Sequence, residues 1–385
     1  MDNHKFWKTQ PIQDTSKKYK SDKIEKSEDI VKLNDDMFQQ NEFKLPDNFT
    51  FSVIDSNNNN DIDDLYKFLY ENYNQEGDNV GLDYSKESLK WYLDNPKNFK
   101  DMFLFVKYKN KVVGSIIGIP INVSIFNTID TVIDTSFLCI NKTIRNKSLA
   151  SIMIKELLRR MYNNKVKYGY YTSPLILPNA LTKSTYYHKI INIKKMLDID
   201  FISKPESISS KAFEKLFKIN EIKSTNIRKL TVNDIDKCMN LYNNHYKKYK
   251  IYQIFSKEEF KYKFIPVENV IDTFVLEENN DIICMVSIFY LKSRIFNNSK
   301  YKDYNIAQVY HYCYTDTKIF NKFFNDVFIF MKEKQIDVIN WIEQMSNKIF
   351  LDKLNFKCGT GELYYHFWNK KCQPITNNDI GLITI

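Results

Sequence analysis

The chain has 385 residues, 43% of them hydrophobic and 15% aromatic, so it is long and apolar enough for two domains of ordinary size. Its 56 basic and 47 acidic side chains leave a formal charge of +9 that is scattered along the chain. This modest excess predicts a weakly basic, solvated surface and no nucleic-acid partner, with binding of a polyphosphate or another anion as the alternative. No apolar run approaches the roughly 20 residues that cross a bilayer, so we expect a cytoplasmic protein without stable membrane insertion.

Cysteine and histidine spacing gives no support for a metal site. The cysteines form no CxxC pair, and the histidines form no HxxxH or HxH pair. We therefore predict no metal ligands, no disulfide framework and no permanently bound cofactor. The residues concerned are Cys139, Cys238, Cys284, Cys313, Cys358, Cys372, His4, His188, His245, His311 and His366.

The N-terminal segment Met1–Asn48 is polar and rich in lysine. Such a composition predicts an extended arm, which we expect to wrap a folded body. The adjacent aromatic residues Phe6 and Trp7 supply an anchor for it.

Helices and antiparallel strands follow in the first half. Apolar residues at helical spacing predict helices at Asp61–Tyr73 and Lys86–Leu93 and a third beginning near Ser151. Runs rich in β-forming residues predict strands at Phe103–Tyr108, Lys111–Ile119, Thr131–Ile140 and Tyr168–Thr172.

The second half repeats this order of elements without repeating the sequence. Helices are predicted at Val232–Tyr242, Ser256–Phe264 and Asn321–Lys334, and strands at Ile271–Glu277, Ile282–Leu291, Ala307–Cys313 and Val338–Trp341. Helix, helix, antiparallel strands, helix, strand is the order of the N-acyltransferase fold. We therefore predict an α+β fold of two tandem N-acyltransferase-like (GNAT-like) halves.

A basic turn joins the third predicted strand to the helix near Ser151. Amide groups at a helix N-terminus favour an anion, and Arg145 and Lys147 add positive charge, so the turn predicts a pyrophosphate site. An ordinary basic turn before an ordinary helix remains the alternative. The turn consists of Arg145, Asn146, Lys147, Ser148, Leu149 and Ala150.

The end of the strand before this turn predicts an oxyanion hole. If the strand bends open there, the amides of Phe137, Leu138 and Cys139 lie where a thioester carbonyl would sit. A fully paired core strand is the alternative. The apolar neighbours of Cys139 predict a raised thiol pKa, so we expect Cys139 to be structural and not a nucleophile.

The C-terminal residues Gly381–Ile385 form an apolar pattern that predicts a strand running to the end of the chain. If this strand is buried, desolvation raises the pKa of the Ile385 carboxylate and makes it a better base. Ordinary docking of an edge strand is the alternative.

Several short motifs resemble the N-myristoyltransferase family. HKFWKTQPI, at His4–Ile12, looks like the start of that family's catalytic domain, and later matches follow in the family's order across nearly the whole chain. This collinearity is more specific than any single match, and the chain resembles a divergent, compact member. The later matches are Asp83–Ser85 with Trp91, Phe137–Cys139, Tyr171–Thr172 with Pro178, Tyr186 with His188, Glu268–Phe274 and Phe350–Phe356.

The resemblance implies two halves related by a pseudo-twofold axis. Residues 1–205 would bind acyl-CoA and include the N-terminal arm, and residues 206–385 would contribute the peptide groove and the C-terminal carboxylate. The implied activity is transfer of a myristoyl group from myristoyl-CoA, as co-substrate, to the N-terminal glycine of peptides or nascent proteins. The amine would attack the thioester directly. The alternatives are an N-acyltransferase that uses a shorter acyl-CoA and a non-catalytic relative that binds lipid or peptide.

The resemblance also implies roles for individual residues in a monomeric enzyme. The implied catalytic groups are the Phe137 and Leu138 amides, the Ile385 carboxylate as the base, and Thr172 close to the amine. The implied acyl-CoA contacts are Lys5, Phe6, Trp7, Phe137, Leu138, Cys139, Ile140, Arg145, Asn146, Lys147, Ser148, Leu149 and Ala150. The implied peptide contacts are Asp83, Tyr84, Tyr186, His188 and Leu363.

The sequence departs from the family pattern at a few of these places. Ser136 replaces the asparagine usual before the FLC motif, and Ser148 and Ser151 replace an arginine and a proline in the phosphate turn. Thr360 stands where the family has an aspartate. The changes in the phosphate turn predict a weaker grip on phosphate. Val80, Gly81 and Leu82 stand where the family has a more aromatic stretch, which predicts a reshaped peptide groove.

Overall fold

The computed structural model describes residues 6–13, 27–32, 41–73, 75–76, 80–145, 148–217, 219 and 226–384. Of the predicted site residues, Lys5, Asn146, Lys147 and Ile385 lie outside these ranges.

The described helices are α1 (Asn59–Asn72), α2 (Lys86–Leu93), α3 (Leu149–Asn163), α4 (Ile193–Asp198), α5 (Ser210–Leu216), α6 (Ile235–Tyr246), α7 (Lys257–Phe264), α8 (Thr317–Glu333) and α9 (Lys348–Lys353). Strands of the first half are β1 (Glu28–Asp29), β2 (Phe49–Val53), β3 (Gln75–Glu76), β4 (Val80–Asp83), β5 (Phe103–Tyr108), β6 (Lys111–Ile125), β7 (Thr128–Ile140), β8 (Tyr168–Ser173) and β9 (Thr182–Ile190). Strands of the second half are β10 (Ile227–Lys229), β11 (Ile251–Ile254), β12 (Ile271–Glu278), β13 (Asp281–Ile295), β14 (Asp303–Tyr314), β15 (Val338–Ile342), β16 (Lys357–Trp368), β17 (Lys370–Lys371) and β18 (Ile380–Gly381).

The predicted helices and strands up to Trp341 are confirmed, with ends that shift by up to six residues, whereas the predicted C-terminal strand is not. α8 begins four residues earlier than predicted, because Asp316 caps it and accepts hydrogen bonds from the Lys318 and Ile319 amides. Nine of the described strands were not predicted: β1, β2, β3, β4, β9, β10, β11, β16 and β17.

Sixteen of the eighteen described strands form one continuous sheet in which the two halves exchange a strand, and β1 and β17 form a separate pair. In the order β14-β15-β9-β16-β8-β7, β9 of the first half pairs with β15 of the second, and β16 of the second half pairs with β8 of the first. β9 and β16 then pair antiparallel at the centre. The exchange agrees with the predicted pseudo-twofold relation, while the boundary at residue 205 stays a prediction.

Both halves carry a β-bulge at the same place in the fold. In the first half, the β6–β7 register shifts between Ser115 and Ile117, so that Phe137–Leu138 stands opposite a single residue. In the second half, the β13–β14 register shifts between Val286 and Ile288, so that Tyr310–His311 stands opposite a single residue. In each half the bulge lies just beyond the point where a parallel strand pairing ends.

Two glycines in β6 let α3 lie close against the sheet. A Cβ added at Gly114 would lie 2.9 Å from Met153 Sδ, and one added at Gly118 would lie 3.1 Å from Leu157 Cδ1. Met153 and Leu157 on α3 are buried against this surface. The packing fixes the start of α3 next to the bulge in β7.

The described parts of the N-terminal arm contact the folded body, as predicted. β1 pairs with β17, and the buried Gln13 side chain exchanges hydrogen bonds with the Cys372 backbone at 2.7 and 2.8 Å. Among the described residues, no helix combines the length and the apolar character that are needed to cross a membrane.

Candidate active site

The bulge in β7 separates two residues from both neighbouring strands. Phe137 has a φ of 49°, a conformation that is costly for a bulky residue and is retained only when its surroundings enforce it. Parallel pairing of β7 with β8 ends at Thr135 and Tyr171, before the bulge. In the described strands, Phe137 and Leu138 therefore have no register partner on either side. The bend predicted from the sequence is present.

Hydrogen bonding and ring packing hold the bulge in place. Ser115 Oγ donates to the Phe137 carbonyl at 2.9 Å. The Phe137 ring lies 5.5, 5.1 and 5.4 Å from the rings of Tyr73, Tyr84 and Tyr92, measured between centroids. Tyr84, predicted to line the peptide channel, is 7% exposed and packs edge to face on Phe137. Leu138, by contrast, is exposed.

The thiol that follows the bulge is not suited to nucleophilic chemistry. Cys139 is buried, and burial raises the pKa of its thiol to about 12 although Arg145 and Lys142 lower it. The predicted rise of the thiol pKa is therefore confirmed, while the structural role of Cys139 stays a prediction. The carbonyl of the next residue, Ile140, accepts a hydrogen bond from Arg145 Nε at 3.2 Å.

The turn before α3 differs in one respect from the prediction. The helix begins at Leu149 and not at Ser151, so Leu149 and Ala150 are its first residues. Ser148 takes the cap position with a φ of 60°, and its side chain makes no capping hydrogen bond. The left-handed backbone conformation of Ser148 ends the turn, so the helix begins two residues before the predicted start. Amides of the first turn are therefore not capped by that side chain.

The Arg145 guanidinium has two backbone partners at this turn. Besides the bond to Ile140, its Nη2 donates to the Asn72 carbonyl at the end of α1 at 2.6 Å. Arg145 therefore links α1 to the end of β7 in addition to any contact with a phosphate. Its neighbours Asn146 and Lys147, both predicted phosphate ligands, lie outside the described residues.

The corresponding helix of the second half is capped differently. α8 follows β14 as α3 follows β7, but the Asp316 carboxylate occupies the amides of its first turn. A carboxylate there would repel a phosphate. Of these two helix starts, only that of α3 is left without a side-chain cap.

The C-terminal segment reaches the end of β8, but not as the predicted strand. Only Ile380–Gly381 is strand, paired in parallel with β11. The chain then leaves the sheet, and Leu382 and Ile383 are buried as side chains. This departure brings Thr384 Oγ1 within 3.4 Å of Thr172 Oγ1. Ile385, the predicted base, lies outside the described residues.

The N-terminal aromatic pair lies next to the same strand. Trp7 stacks on Tyr171 with ring centroids 5.3 Å apart, and Phe6 packs edge to face on Trp7 at 5.2 Å. Tyr171 stacks in turn on His366 of β16 at 4.8 Å. Of the predicted acyl-CoA residues, Trp7 therefore contacts the residue that precedes Thr172, Phe6 packs on Trp7, and Lys5 lies outside the described residues.

Three predicted peptide-binding residues share one face of the central strands. Tyr186 and His188 are two residues apart on β9 and therefore lie on the same face of the sheet. Leu363 of β16 lies opposite Ser184, which is on that face too. His188 Nδ1 lies 2.7 Å from Asn340 Oδ1, which fixes the imidazole ring. Another predicted peptide contact, Asp83, lies at the end of β4 opposite Lys292. Its buried Oδ1 has no hydrogen-bond partner among the described residues, and burial raises the pKa of the Asp83 carboxyl.

Sequence reasoning missed the cavity next to the C-terminal segment. It is small, with a volume of about 10 Å3, and its lining includes Tyr92, Asp134, Lys263, Tyr310, Ile383 and Thr384. A signal for it was present: Lys263 lies between Phe260 and Phe264 on the apolar face of α7, and Asp134 interrupts an apolar strand. Charged side chains at core positions are unusual and often functional.

Two family models and several curated proteins match the chain. Residues 29–184 match the N-terminal domain, and residues 198–381 the C-terminal domain, of myristoyl-CoA:protein N-myristoyltransferase. A glycylpeptide N-tetradecanoyltransferase of Plasmodium falciparum is 33% identical over 100% of this chain and 94% of its own length. The Drosophila melanogaster glycylpeptide N-tetradecanoyltransferase is 30% identical over 98% of this chain and 80% of its own.

A solved structure agrees with these matches. The Saccharomyces cerevisiae N-myristoyltransferase with bound myristoyl-CoA superposes with a TM-score of 0.93 at 27% identity, covering 100% of both chains. This likeness confirms the predicted α+β fold of GNAT-like halves. The chain belongs to the N-myristoyltransferase family.

Proposed function

We propose that this protein transfers the myristoyl group of myristoyl-CoA to the N-terminal glycine amine of peptides or nascent proteins. The observation that carries the proposal is the meeting of three elements at the end of the β7–β8 pairing. The bulge at Phe137–Leu138, the start of α3 and the Thr172–Thr384 contact all lie there. These elements can serve a thioester carbonyl, a phosphate and an amine in one reaction.

The bulge would stabilise the transition state. As the amine adds to the thioester, the carbonyl oxygen gains negative charge, and amides of Phe137 and Leu138 that are aimed at it lower the barrier. The Ser115 bond to the Phe137 carbonyl supports a preorganised bulge. Preorganised donors need no costly rearrangement during the reaction.

The C-terminal segment would prepare the nucleophile. A glycine ammonium cannot attack until it loses a proton, and the Ile385 carboxylate, one residue beyond Thr384, is the acceptor in this proposal. Thr172 would orient the amine by its hydroxyl group. The amine then forms the new C–N bond, the C–S bond breaks, and a second proton passes to the leaving thiolate of CoA. No acyl-enzyme is formed.

The first half would hold the CoA moiety. The Asp316 side chain caps the first-turn amides of α8, but the Ser148 side chain does not cap those of α3. This difference supports phosphate binding at the start of α3, in the first half. The stacking of Trp7 on Tyr171 supports a contribution of the N-terminal segment to this binding. The uncharged Ser148 and Ser151 predict a weaker grip on phosphate than in other family members.

Glycine selectivity would arise from the approach of the amine. A side chain on the first residue would occupy the space between the thioester and the Thr172–Thr384 contact, and a small misplacement of the nucleophile is enough to lose the rate gained from orientation. Tyr186, His188 and Leu363 would bind the residues that follow. We also propose a cytoplasmic monomer that has no nucleic-acid partner.

The experiment is a mass-spectrometric transfer assay with purified protein. Acetyl-, decanoyl- and myristoyl-CoA compete for a peptide that begins with glycine, and a peptide that begins with alanine serves as the control. Myristoylation of the glycine peptide alone is the expected result. Preferred transfer of a shorter chain would support the alternative N-acyltransferase, and CoA binding without any transfer would support a non-catalytic relative.

A further inference from the structure

The C-terminal end of α1 contacts the turn that precedes α3. Asn72 is the last residue of α1 and is only 4% exposed. Lys142–Ile144 forms a short 3-10 helix directly after β7, and Arg145 follows it. Asn72 and Lys142 are 70 positions apart in the chain, yet one asparagine joins the two segments through both its backbone and its side chain.

Asn72 makes three hydrogen bonds in this position. Its Nδ2 donates to the Phe68 carbonyl at 2.9 Å, which fixes the orientation of the side-chain amide. Its Oδ1 accepts from the Lys142 amide at 3.1 Å, and its carbonyl accepts from Arg145 Nη2 at 2.6 Å. The opposite orientation of the side-chain amide would bring two N–H groups face to face at Lys142, so only this orientation fits both partners.

The bond to the Asn72 carbonyl also determines how Arg145 is held. Arg145 Nε donates to the Ile140 carbonyl at 3.2 Å and Nη2 donates to Asn72, so these bonds occupy two of the three guanidinium nitrogens. Neither bond uses Nη1. A guanidinium that is already fixed loses little side-chain entropy when an anion binds to it.

The residue after Asn72 contacts another part of the proposed site. The Tyr73 ring lies 5.5 Å from the Phe137 ring and 6.1 Å from the Tyr84 ring, measured between centroids. Phe137 belongs to the bulge that would stabilise the thioester oxygen. Two successive residues at the end of α1 thus contact the turn before α3 and the bulge in β7.

We propose that Asn72 is a positioning residue for acyl-CoA, which holds the turn from Lys142 to Arg145 in the place where it binds the phosphates. The inference rests on the proposed function and adds a residue to its CoA-binding step. Asn72 acts through the Lys142 amide and the Arg145 guanidinium. Without its side chain the turn loses a fixed position relative to α1, and acyl-CoA must then order the turn at a cost in binding free energy.

The test compares ligands with and without phosphate. The Kd values of myristoyl-CoA and of S-myristoylpantetheine, which lacks the phosphates and the nucleotide, are measured by titration for the wild type and for Asn72→Ala. Asn72→Ala is expected to raise the Kd of myristoyl-CoA by about 10-fold and to leave that of S-myristoylpantetheine within about twofold of wild type. A merely structural role of Asn72 would weaken both ligands by the same factor, and that result would overturn the proposal.

A change on the other side of the hydrogen bond gives a second outcome, which does not depend on the folding of Asn72→Ala. Lys142 is the first residue of the 3-10 helix, and Asn141 before it has φ −51° and ψ 131°, close to the polyproline conformation, so a proline fits at position 142. Lys142→Pro removes the amide hydrogen that Asn72 accepts, whereas Lys142→Ala removes the charge and keeps that hydrogen. Lys142→Pro should raise the Kd of myristoyl-CoA about fivefold above that of Lys142→Ala, and equal Kd values would contradict the proposal.

The double variant tests whether the two changes act through one bond. If they do, Asn72→Ala should add less than about twofold to the Kd of Lys142→Pro, and losses that multiply would contradict the link. Each variant is first checked for a cooperative thermal transition. Acyl transfer by the wild type is measured separately: its absence would contradict the proposed function, whereas the Kd values alone decide the role of Asn72.

Discussion

Thr172 Oγ1 and Thr384 Oγ1 lie 3.4 Å apart, although 212 residues separate them in the chain. The contact joins the end of β8 in the first half to the last described residue of the second. Ile385, which carries the C-terminal carboxylate, is the next residue in the chain. The chemistry proposed here depends on this meeting of the two halves.

Removing the Thr172 hydroxyl is predicted to slow the chemical step. Thr172→Val keeps the β-branched shape of the side chain but can no longer orient an amine. We expect kcat to fall by about 10-fold, with the myristoyl-CoA Kd unchanged, because one hydrogen bond to the reacting group is lost. Steady-state kinetics and CoA titration measure both values. Thr182→Val on β9 is the control, and an equal loss of kcat in both variants would contradict the role of Thr172.

Ser115 is predicted to support the bulge. Ser115→Ala leaves the Phe137 carbonyl without its hydroxyl donor, and we expect a loss of about 1 kcal/mol of unfolding free energy together with a several-fold lower kcat. Denaturant unfolding and turnover measure the two effects. Ser287→Ala is a close control because Ser287 Oγ holds the matching bulge of the second half, accepting from the His311 amide at 3.0 Å. It should lower stability and leave kcat nearly unchanged.

A carboxylate at the start of α3 is predicted to weaken acyl-CoA binding. Ser148→Asp would place at α3 the cap that Asp316 provides at α8, and Asp tolerates the left-handed conformation found there. We expect the myristoyl-CoA Kd to rise by about 10-fold through repulsion of the phosphates. Calorimetric titration measures the Kd. Ser148→Asn has a similar shape without charge and should bind within about threefold of wild type; equal affinities of the two variants would place the phosphates elsewhere.

The glycines opposite His188 are predicted to shape the peptide groove. A Cβ at Gly359 would overlap His188 Nε2 and lie 3.0 Å from the Tyr186 carbonyl, and the ring cannot move away without breaking its contact with Asn340. Gly359→Ala should therefore raise the peptide KM by about 10-fold and spare acyl-CoA binding. At Gly361 the nearest atom, Tyr186 Cδ2, is 3.3 Å away, so Gly361→Ala should have a smaller effect. The reverse order of the two KM values would argue against a role for His188 in the groove.

The C-terminal carboxylate is predicted to be needed in its terminal position. Adding a few residues after Ile385 moves the carboxylate away from Thr384 and Thr172, so turnover should fall by at least about 100-fold, the range in which general-base groups contribute. Binding of myristoyl-CoA, measured by titration, should change little. Full turnover by the extended chain would remove Ile385 from the mechanism.

The local elements of the fold could be read from the sequence because each carries its own signal. α2 begins at the Ser85 cap and α7 at the capping box of Ser256 and Glu259, and both were predicted to within one residue. The exchange of β9 and β16 could not be read in this way. Both strands are rich in polar and aromatic residues, and their pairing is decided by contacts between distant parts of the chain.

The candidate site was predictable only in pieces. The sequence suggested the bent strand at Phe137, the basic turn and the apolar C-terminus separately, and the family resemblance joined them into one reaction. The Thr172–Thr384 contact and the cavity between Asp134 and Lys263 depend on where the two halves meet. Neither follows from spacing along the chain, because the residues concerned are more than a hundred positions apart.

The most direct test of the central claim is a single-turnover experiment. Protein loaded with one equivalent of myristoyl-CoA is mixed with a peptide that begins with glycine or with the same peptide beginning with alanine, and both the released CoA thiol and the acylated peptide are followed in time. The account predicts stoichiometric release of CoA together with an N-terminally myristoylated peptide for glycine and neither product for alanine. CoA release without acylated peptide, or equal acylation of both peptides, would contradict it.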